Sequence, residues 1–229
     1  MAYGVIEQLS RAKIDRRGTT LLDEVDVISS ISGGSFAAAY LGLFGKDKFL
    51  RDFRRDVLER PIQRDLLLRV AAPWNWFDEI LYGRSDLAEK YYDKYIFDGR
   101  TYADMPRRRP FVILNATDLT TGAGFTFTQD NFDLICSNLQ TIPVARAVLA
   151  SSAFPVAFTP ITLKNYYRGV GCSPTPEWVD SALKDFEDGP ARFHRAEMLK
   201  SYEASGVRPY MHLSDGGIAD NLRVLGRSM

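Results

Sequence analysis

Residues 24–45 read EVDVISSISGGSFAAAYLGLFG. The first seven, EVDVISS, are rich in β-branched residues and predict a short strand. Residues 35–44, SFAAAYLGLF, are apolar nearly all round, which predicts a buried helix stopped by Gly45. Two glycines, Gly33 and Gly34, stand between strand and helix. Upstream, residues 1–13 predict a helix with Val5, Leu9 and Ala12 on one face, and residues 15–18 a polar turn. Downstream, residues 46–95 read as helical, interrupted at Pro61 and around Pro73. Leu50, Phe53 and Val57 there have helical spacing. Residues 110–117 (PFVILNAT) predict a strand, and the alternation in 124–128 (GFTFT) another. Residues 144–152 predict a helix stopped near Pro155, and 160–164 a short strand. Residues 177–205 are mostly polar and helical, so a surface insertion is expected around 175–206. A last strand, 209–213, runs into the turn SDGG. Strands alternating with helices imply a layered α/β domain with a mainly parallel sheet. With no internal repeat or low-complexity linker, residues 1–229 are read as one domain.

The segment SISGGS, residues 30–35, suits a nucleophilic serine. A sharp strand-to-helix turn lifts a hydroxyl out of the sheet. A helix N-terminus offers free N–H groups and the positive end of the helix dipole to developing negative charge. Small neighbours let a substrate approach, and glycine accepts unusual backbone angles. Centring the glycine-x-serine-x-glycine elbow on Ser32 gives SISGG, with Ser30 in place of the first glycine. Centring it on Ser35 gives GGSFA, with Phe36 crowding the site and the serine already inside the helix. Ser32 is therefore the better candidate. A helix cap or a phosphate-binding turn uses similar residues. The G-x-x-x-x-G-K-[ST] phosphate loop is absent, since no lysine follows the glycines.

A serine nucleophile needs a base. The chain has two histidines, His194 and His212. His194 falls in the polar insertion. His212 falls on the last strand and leaves a serine–acid–histidine order open. Asp215, in HLSDGGIADNL, is the stronger candidate, held with Gly216 and Gly217 on a tight turn. Asp-Gly is also ordinary turn chemistry. Ser32 and Asp215 both follow predicted strands, and in a parallel sheet the carboxyl ends of strands gather on one side.

Three segments together resemble the patatin-like phospholipase family. They are VDVISSISGGSFAAAYLGLFG, ARAVLASSAFPVAFTPI and SDGGIADNL, in the family's order from residue 25 to residue 222. The resemblance implies a three-layer α/β fold with helices flanking a mainly parallel central sheet. It implies Ser32 as nucleophile, Gly33 and Gly34 in its elbow, and Asp215 as proton acceptor ahead of Gly216 and Gly217. The implied activity is hydrolysis of acyl esters of phospholipids or neutral lipids through an acyl-serine. No cofactor or metal is called for, and the implied partner is lipid at a membrane or micelle surface. The family usually carries a glycine-rich G-G-G-x-R oxyanion loop after its first strand. No such segment occurs here, and residues 221–229 stop soon after the Asp-Gly-Gly segment, so the expectation is a domain shortened at both ends, lacking that strand and loop, and poorly active as written. A Ser-His-Asp esterase using His212, or a lipid-binding module without catalysis, are the competing readings.

Composition agrees with one globular domain: 45% of residues are hydrophobic and 25% charged. Lys plus Arg equals Asp plus Glu, at 29 each, so nothing points to nucleic acid. Arg51, Arg54, Arg55, Arg60, Arg64 and Arg69 read as a solvated helix face, or as a weak attraction to anionic headgroups. Trp74, Trp76 and Phe77 read as core packing, or as a contact with a lipid interface. Cys136 and Cys172 match no metal spacing and permit one bridge. No apolar run reaches the ~20 residues of a membrane span. For the sequence as given, a cytoplasmic or peripheral-membrane location is expected.

Overall fold

The computed structural model describes residues 1–61, 84–106, 108–154, 158–167, 175–187 and 189–220. Arg64, Arg69, Pro73, Trp74, Trp76, Phe77, Pro155 and Cys172 lie outside them. Helix α1 spans Ala2–Arg11. Its inward residues are Ala2, Tyr3, Ile6 and Leu9; of the expected face, Leu9 packs inward, Ala12 is half-buried and Val5 is exposed. Strand β1, Val27–Ser30, leads into helix α2, Gly34–Phe53. Gly45 interrupts α2 where the helix was expected to stop. Its φ of 78° kinks the helix, which then resumes. A π-helical turn, Arg54–Leu58, follows directly.

Helix α3 is Arg84–Tyr95. The chain continues through β2 (Phe111–Asp118), β3 (Gly124–Thr126), α4 (Gln129–Leu134) and α5 (Val144–Ser152). Then come β4 (Ile161–Lys164), α6 (Trp178–Ala182), α7 (Pro190–Glu203), β5 (Tyr210–Asp215) and the short α8 (Gly217–Asp220). Cys136, after α4, is disulfide-bonded.

The fold is α/β, a curled sheet flanked by helices. The sheet is mixed, with strand order β1-β2-β5-β4 and β3 on β2. Among the described strands, only β1 and β2 pair in parallel. The pairs β2–β3, β2–β5 and β4–β5 are antiparallel. Residues 116 and 117 of β2 pair with both β3 and β5, so those two strands lie on opposite edges of β2. Consequently β1 and β3 share one edge of β2 in succession, and β5 takes the other.

Helix α5 sits in the middle of the packing. All but its flanking residues are buried, from Val144 to Ser151 apart from Arg146. Arg146 reaches out to bond Glu89 of α3 at 2.7 Å and the Thr162 carbonyl of β4 at 2.8 Å. The stretch from α6 to α7, expected as a polar surface insertion, also contributes side chains to the core. Val179, Ala182, Ala196, Met198, Leu199 and Tyr202 join the main core. Within the described part of the arginine run, Arg51, Arg54 and Arg55 are matched locally by acids, and Arg60 bonds the Tyr95 carbonyl. Arg51 and Arg55 both pair with Asp52, and Arg54 pairs with Glu59. That pattern fits a solvated, self-neutralised helix face. Among the described residues, no helix is long and apolar enough to cross a membrane.

Candidate active site

The turn after β1 carries its strain on a serine. Ser32 has φ of +51°, in the left-handed region that disfavours a side chain. Gly33, by contrast, has ordinary helical angles of −57° and −22°. The expectation that the glycines absorb unusual angles is therefore corrected. What they provide is space: a Cβ on either would meet nothing within 4 Å. The turn is closed by bonds from Gly34 N–H to the Ile31 carbonyl and from Ser35 N–H to the Ser32 carbonyl.

Asp215 ends β5 and is buried. The Ser32 hydroxyl donates to its Oδ2 at 2.8 Å. The other oxygen, Oδ1, accepts the Gly217 N–H at 2.8 Å, which fixes the carboxylate plane. The Asp215 carbonyl accepts from Thr117 Oγ1 at 2.8 Å. Gly216 passes so close to β2 that a Cβ would lie 2.6 Å from the Asn115 carbonyl oxygen. Only glycine fits that crossing without a shift.

The sequence brought Ser32 and Asp215 together by the wrong geometry. They do not meet at a common carboxyl edge of parallel strands. Strand β1 runs parallel to β2 and β5 runs antiparallel to it. The two strands approach head-on along opposite edges of β2. Ser30 pairs with Leu114 and Asp215 with Ala116, so the two chain ends converge over Asn115.

The other candidates lie elsewhere. Ser35 is fully buried and bonds to Ser151 Oγ at 2.7 Å and Ser30 Oγ at 3.3 Å. His212 is exposed, with Nδ1 3.0 Å from Thr162 Oγ1. It projects from the opposite face of β5 to Asp215, because strand side chains alternate. His194 is exposed and contacts Glu197. A cleft of about 550 Å³ opens beside the Gly45 kink, among Leu22, Phe44, Lys46 and Arg108. It includes neither Ser32 nor Asp215. Among the described residues, no three His, Cys, Asp or Glu side chains are grouped to hold a metal ion.

Sequence reasoning missed the residues that hold the pair in place. The C-terminal end of α5 accepts N–H groups from both sides. Ser151 carbonyl takes those of Ser32 (3.0 Å) and Gly216 (3.1 Å), and Ala153 carbonyl takes that of Asp215 (3.1 Å). Asn115 Nδ2 ties β2 to the Ser30 carbonyl at 3.0 Å. The only signal for Ser151 and Ala153 was the ARAVLASSAF segment as a whole, and Asn115 stood out only as part of the PFVILNAT strand.

Fold and site together define a class: an α/β protein with a serine–carboxylate pair at a strand–turn–helix elbow. A family model described as patatin-like phospholipase matches residues 3–225. No curated protein and no solved structure matches the chain. The chain belongs to the patatin-like phospholipase family, whose activity at the coarse level is lipid hydrolysis.

Proposed function

We propose that the chain is a lipid acyl hydrolase in which Ser32 is the nucleophile and Asp215 its proton acceptor. The observation that carries this reading is the 2.8 Å bond from Ser32 Oγ to Asp215 Oδ2. A hydroxyl held on a carboxylate passes its proton without first reorienting. Ser32 Oγ attacks the acyl carbonyl carbon while its proton moves to Asp215. The carbon–oxygen bond to the leaving alcohol then breaks, and that alcohol takes the proton from Asp215. Water adds to the acyl-serine, giving a proton to Asp215. The fatty acid departs and the proton returns to Ser32.

The transient oxyanion needs a donor. At the elbow, the N–H groups of Ser32, Gly34 and Ser35 already have acceptors. Gly33 N–H has none among the described residues, and Gly33 is exposed. It is the donor available to substrate. Apolar side chains flank the pair as a lipid requires: Phe154 follows Ala153 and is 58% exposed, and Ile218 follows the Asp-Gly-Gly turn and is 50% exposed. Phospholipids and neutral lipids are the substrate class.

A fluorophosphonate probe and fatty-acid release from mixed phospholipid–triglyceride micelles test the reading. Labelling and release are both expected to vanish in Ser32→Ala. In Asp215→Asn each is expected to fall at least ~100-fold, the scale of lost general-base catalysis. His212→Ala is expected to stay within threefold of the parent. Labelling that survives Ser32→Ala, or loss of activity in a folded His212→Ala, overturns it.

A further inference from the structure

The last carbonyls of a helix have no donors of their own and must find partners elsewhere. In α5 those partners are the two halves of the candidate site. Ser151 is central among them because it acts with two atoms. Its carbonyl accepts Ser32 N–H at 3.0 Å, and its hydroxyl oxygen accepts the same N–H at 3.1 Å. The same carbonyl accepts Gly216 N–H at 3.1 Å, beside Asp215. The direction of the hydroxyl bond follows from chemistry. Ser151 Oγ lies 2.6 Å from the Asn115 carbonyl, which can only accept, so its hydrogen points there. Ser35 must then donate across the 2.7 Å contact to Ser151. Ser151 is fully buried, so water does not compete for these bonds.

Ser32 is the residue that most needs such a hold. Its left-handed φ is unfavourable for a side chain, and such strain persists only where the surroundings over-determine it. Rotation of its peptide toward a relaxed angle would swing Oγ away from Asp215 Oδ2. We propose that Ser151 is a positioning residue: its carbonyl and hydroxyl together clamp the Ser32 peptide and, through Gly216, set the separation of Ser32 from Asp215. This rests on the reading of Ser32 as nucleophile. It also explains why a helix far away in sequence carries a buried serine where alanine would pack.

The test measures fluorophosphonate labelling of Ser32 in the full chain, together with kcat, KM and their pH dependence on a soluble short-chain ester. Ser151→Ala is compared with Ser35→Ala, which breaks the same buried serine chain without touching Ser32 N–H. Displacement of reacting groups by ~1 Å costs on the order of 100-fold. Ser151→Ala is therefore expected to slow labelling and kcat by ~10- to 100-fold. KM should stay within twofold, and the midpoint of the pH–rate curve should not move. Ser35→Ala is expected to remain within threefold. If Ser151→Ala alone unfolds, the double variant Ser35→Ala/Ser151→Ala, which leaves no hydroxyl of that pair stranded, is judged by the same criteria. Ser151→Ala within threefold of the parent overturns the proposal and leaves Ser32 as nucleophile. So does a Ser35→Ala defect equal to that of Ser151→Ala. A parent that is not labelled at Ser32 overturns the nucleophile reading itself, and this inference with it.

Discussion

Gly33 and Gly216 look alike in the sequence, each following a candidate catalytic residue, yet the structure gives them opposite duties. Gly33 has open space in front of it and helical angles. Gly216 has the Asn115 carbonyl oxygen where its Cβ would be, at 2.6 Å, and Ile31 Cγ2 at 2.8 Å. A backbone carbonyl cannot rotate aside as a side-chain tip can. Gly216→Ala is therefore expected to destabilise by about 1–3 kcal/mol, the range of overpacked sites, and to pull Asp215 off Ser32. Gly33→Ala is expected to shift stability by no more than ~0.5 kcal/mol, as at open positions. Thermal melts of the two variants, with labelling rates beside them, check the contrast; equal destabilisation would contradict it. The sequence disclosed the two candidate residues, Ser32 and Asp215, because their turns have a characteristic composition. It did not disclose Ser151, Asn115 or Thr117, because they act largely through backbone carbonyls or on backbone groups. Any residue type can supply a carbonyl at a helix end, so composition leaves no mark of it.

At the scale of elements, the runs at 27–30, 111–118, 161–164 and 210–215 were legible as strands because β-branched and aromatic residues cluster there. Their directions were not. Direction depends on where each connection crosses the sheet, which local composition does not encode. The helical segment at 190–203 was legible as a helix but not as a core element, since its polar residues dilute the stripe of Ala196, Met198, Leu199 and Tyr202. What locks this segment's exit to the sheet is an ion pair. Arg208, just before β5, pairs with Asp118 at the end of β2, and both are buried. Beside them, Asp118 stands opposite Leu213 in the β2–β5 register, two residues from Asp215. Removing one partner of a buried pair leaves an uncompensated charge and typically costs about 3–5 kcal/mol. Asp118→Asn is expected to fall in that range by urea denaturation, with Asp215 misregistered and labelling of Ser32 reduced. Asp118→Leu combined with Arg208→Met, which strands no charge, is expected to recover most of the stability. Failure of the double variant to recover would mean that the pair specifies the register and is more than a mutual neutralisation.

For the whole molecule, Lys plus Arg and Asp plus Glu cancel at 29 each, so pH acts through individual groups and not through a large net charge. Asp23 is the clearest of these. Bonds from the Thr20 hydroxyl and N–H, and then from Lys46, hold its carboxyl down at about 2. Thr20 and Asp23 cap the 3₁₀ turn Leu21–Glu24 ahead of β1, and Lys46 restarts α2 after the Gly45 kink. The carboxylate thus joins the turn leading into β1 to the helix that follows the elbow. Its folded value lies below the unfolded one. The stability it contributes is therefore fully present above pH ~4 and is lost as the pH falls toward 2. Burial raises Glu89, which has the opposite sign: its contribution is present at low pH and is lost as the pH rises through its raised value. Asp23 lies at the surface, and its ion pair with Lys46 is screened by solvent, so its share is on the order of 1 kcal/mol or less. Asp23→Asn is expected to lower the melting temperature by a few degrees at pH 7 and by progressively less below pH 4. Wild type and variant should converge near pH 2. Added salt should narrow the gap at pH 7 only partly, because the Thr20 bonds are short-range while the Lys46 attraction is screened. Melting curves for both proteins from pH 2 to pH 7, at two ionic strengths, measure this. A gap that stayed constant down to pH 2 would show that Asp23 acts through shape and not through charge.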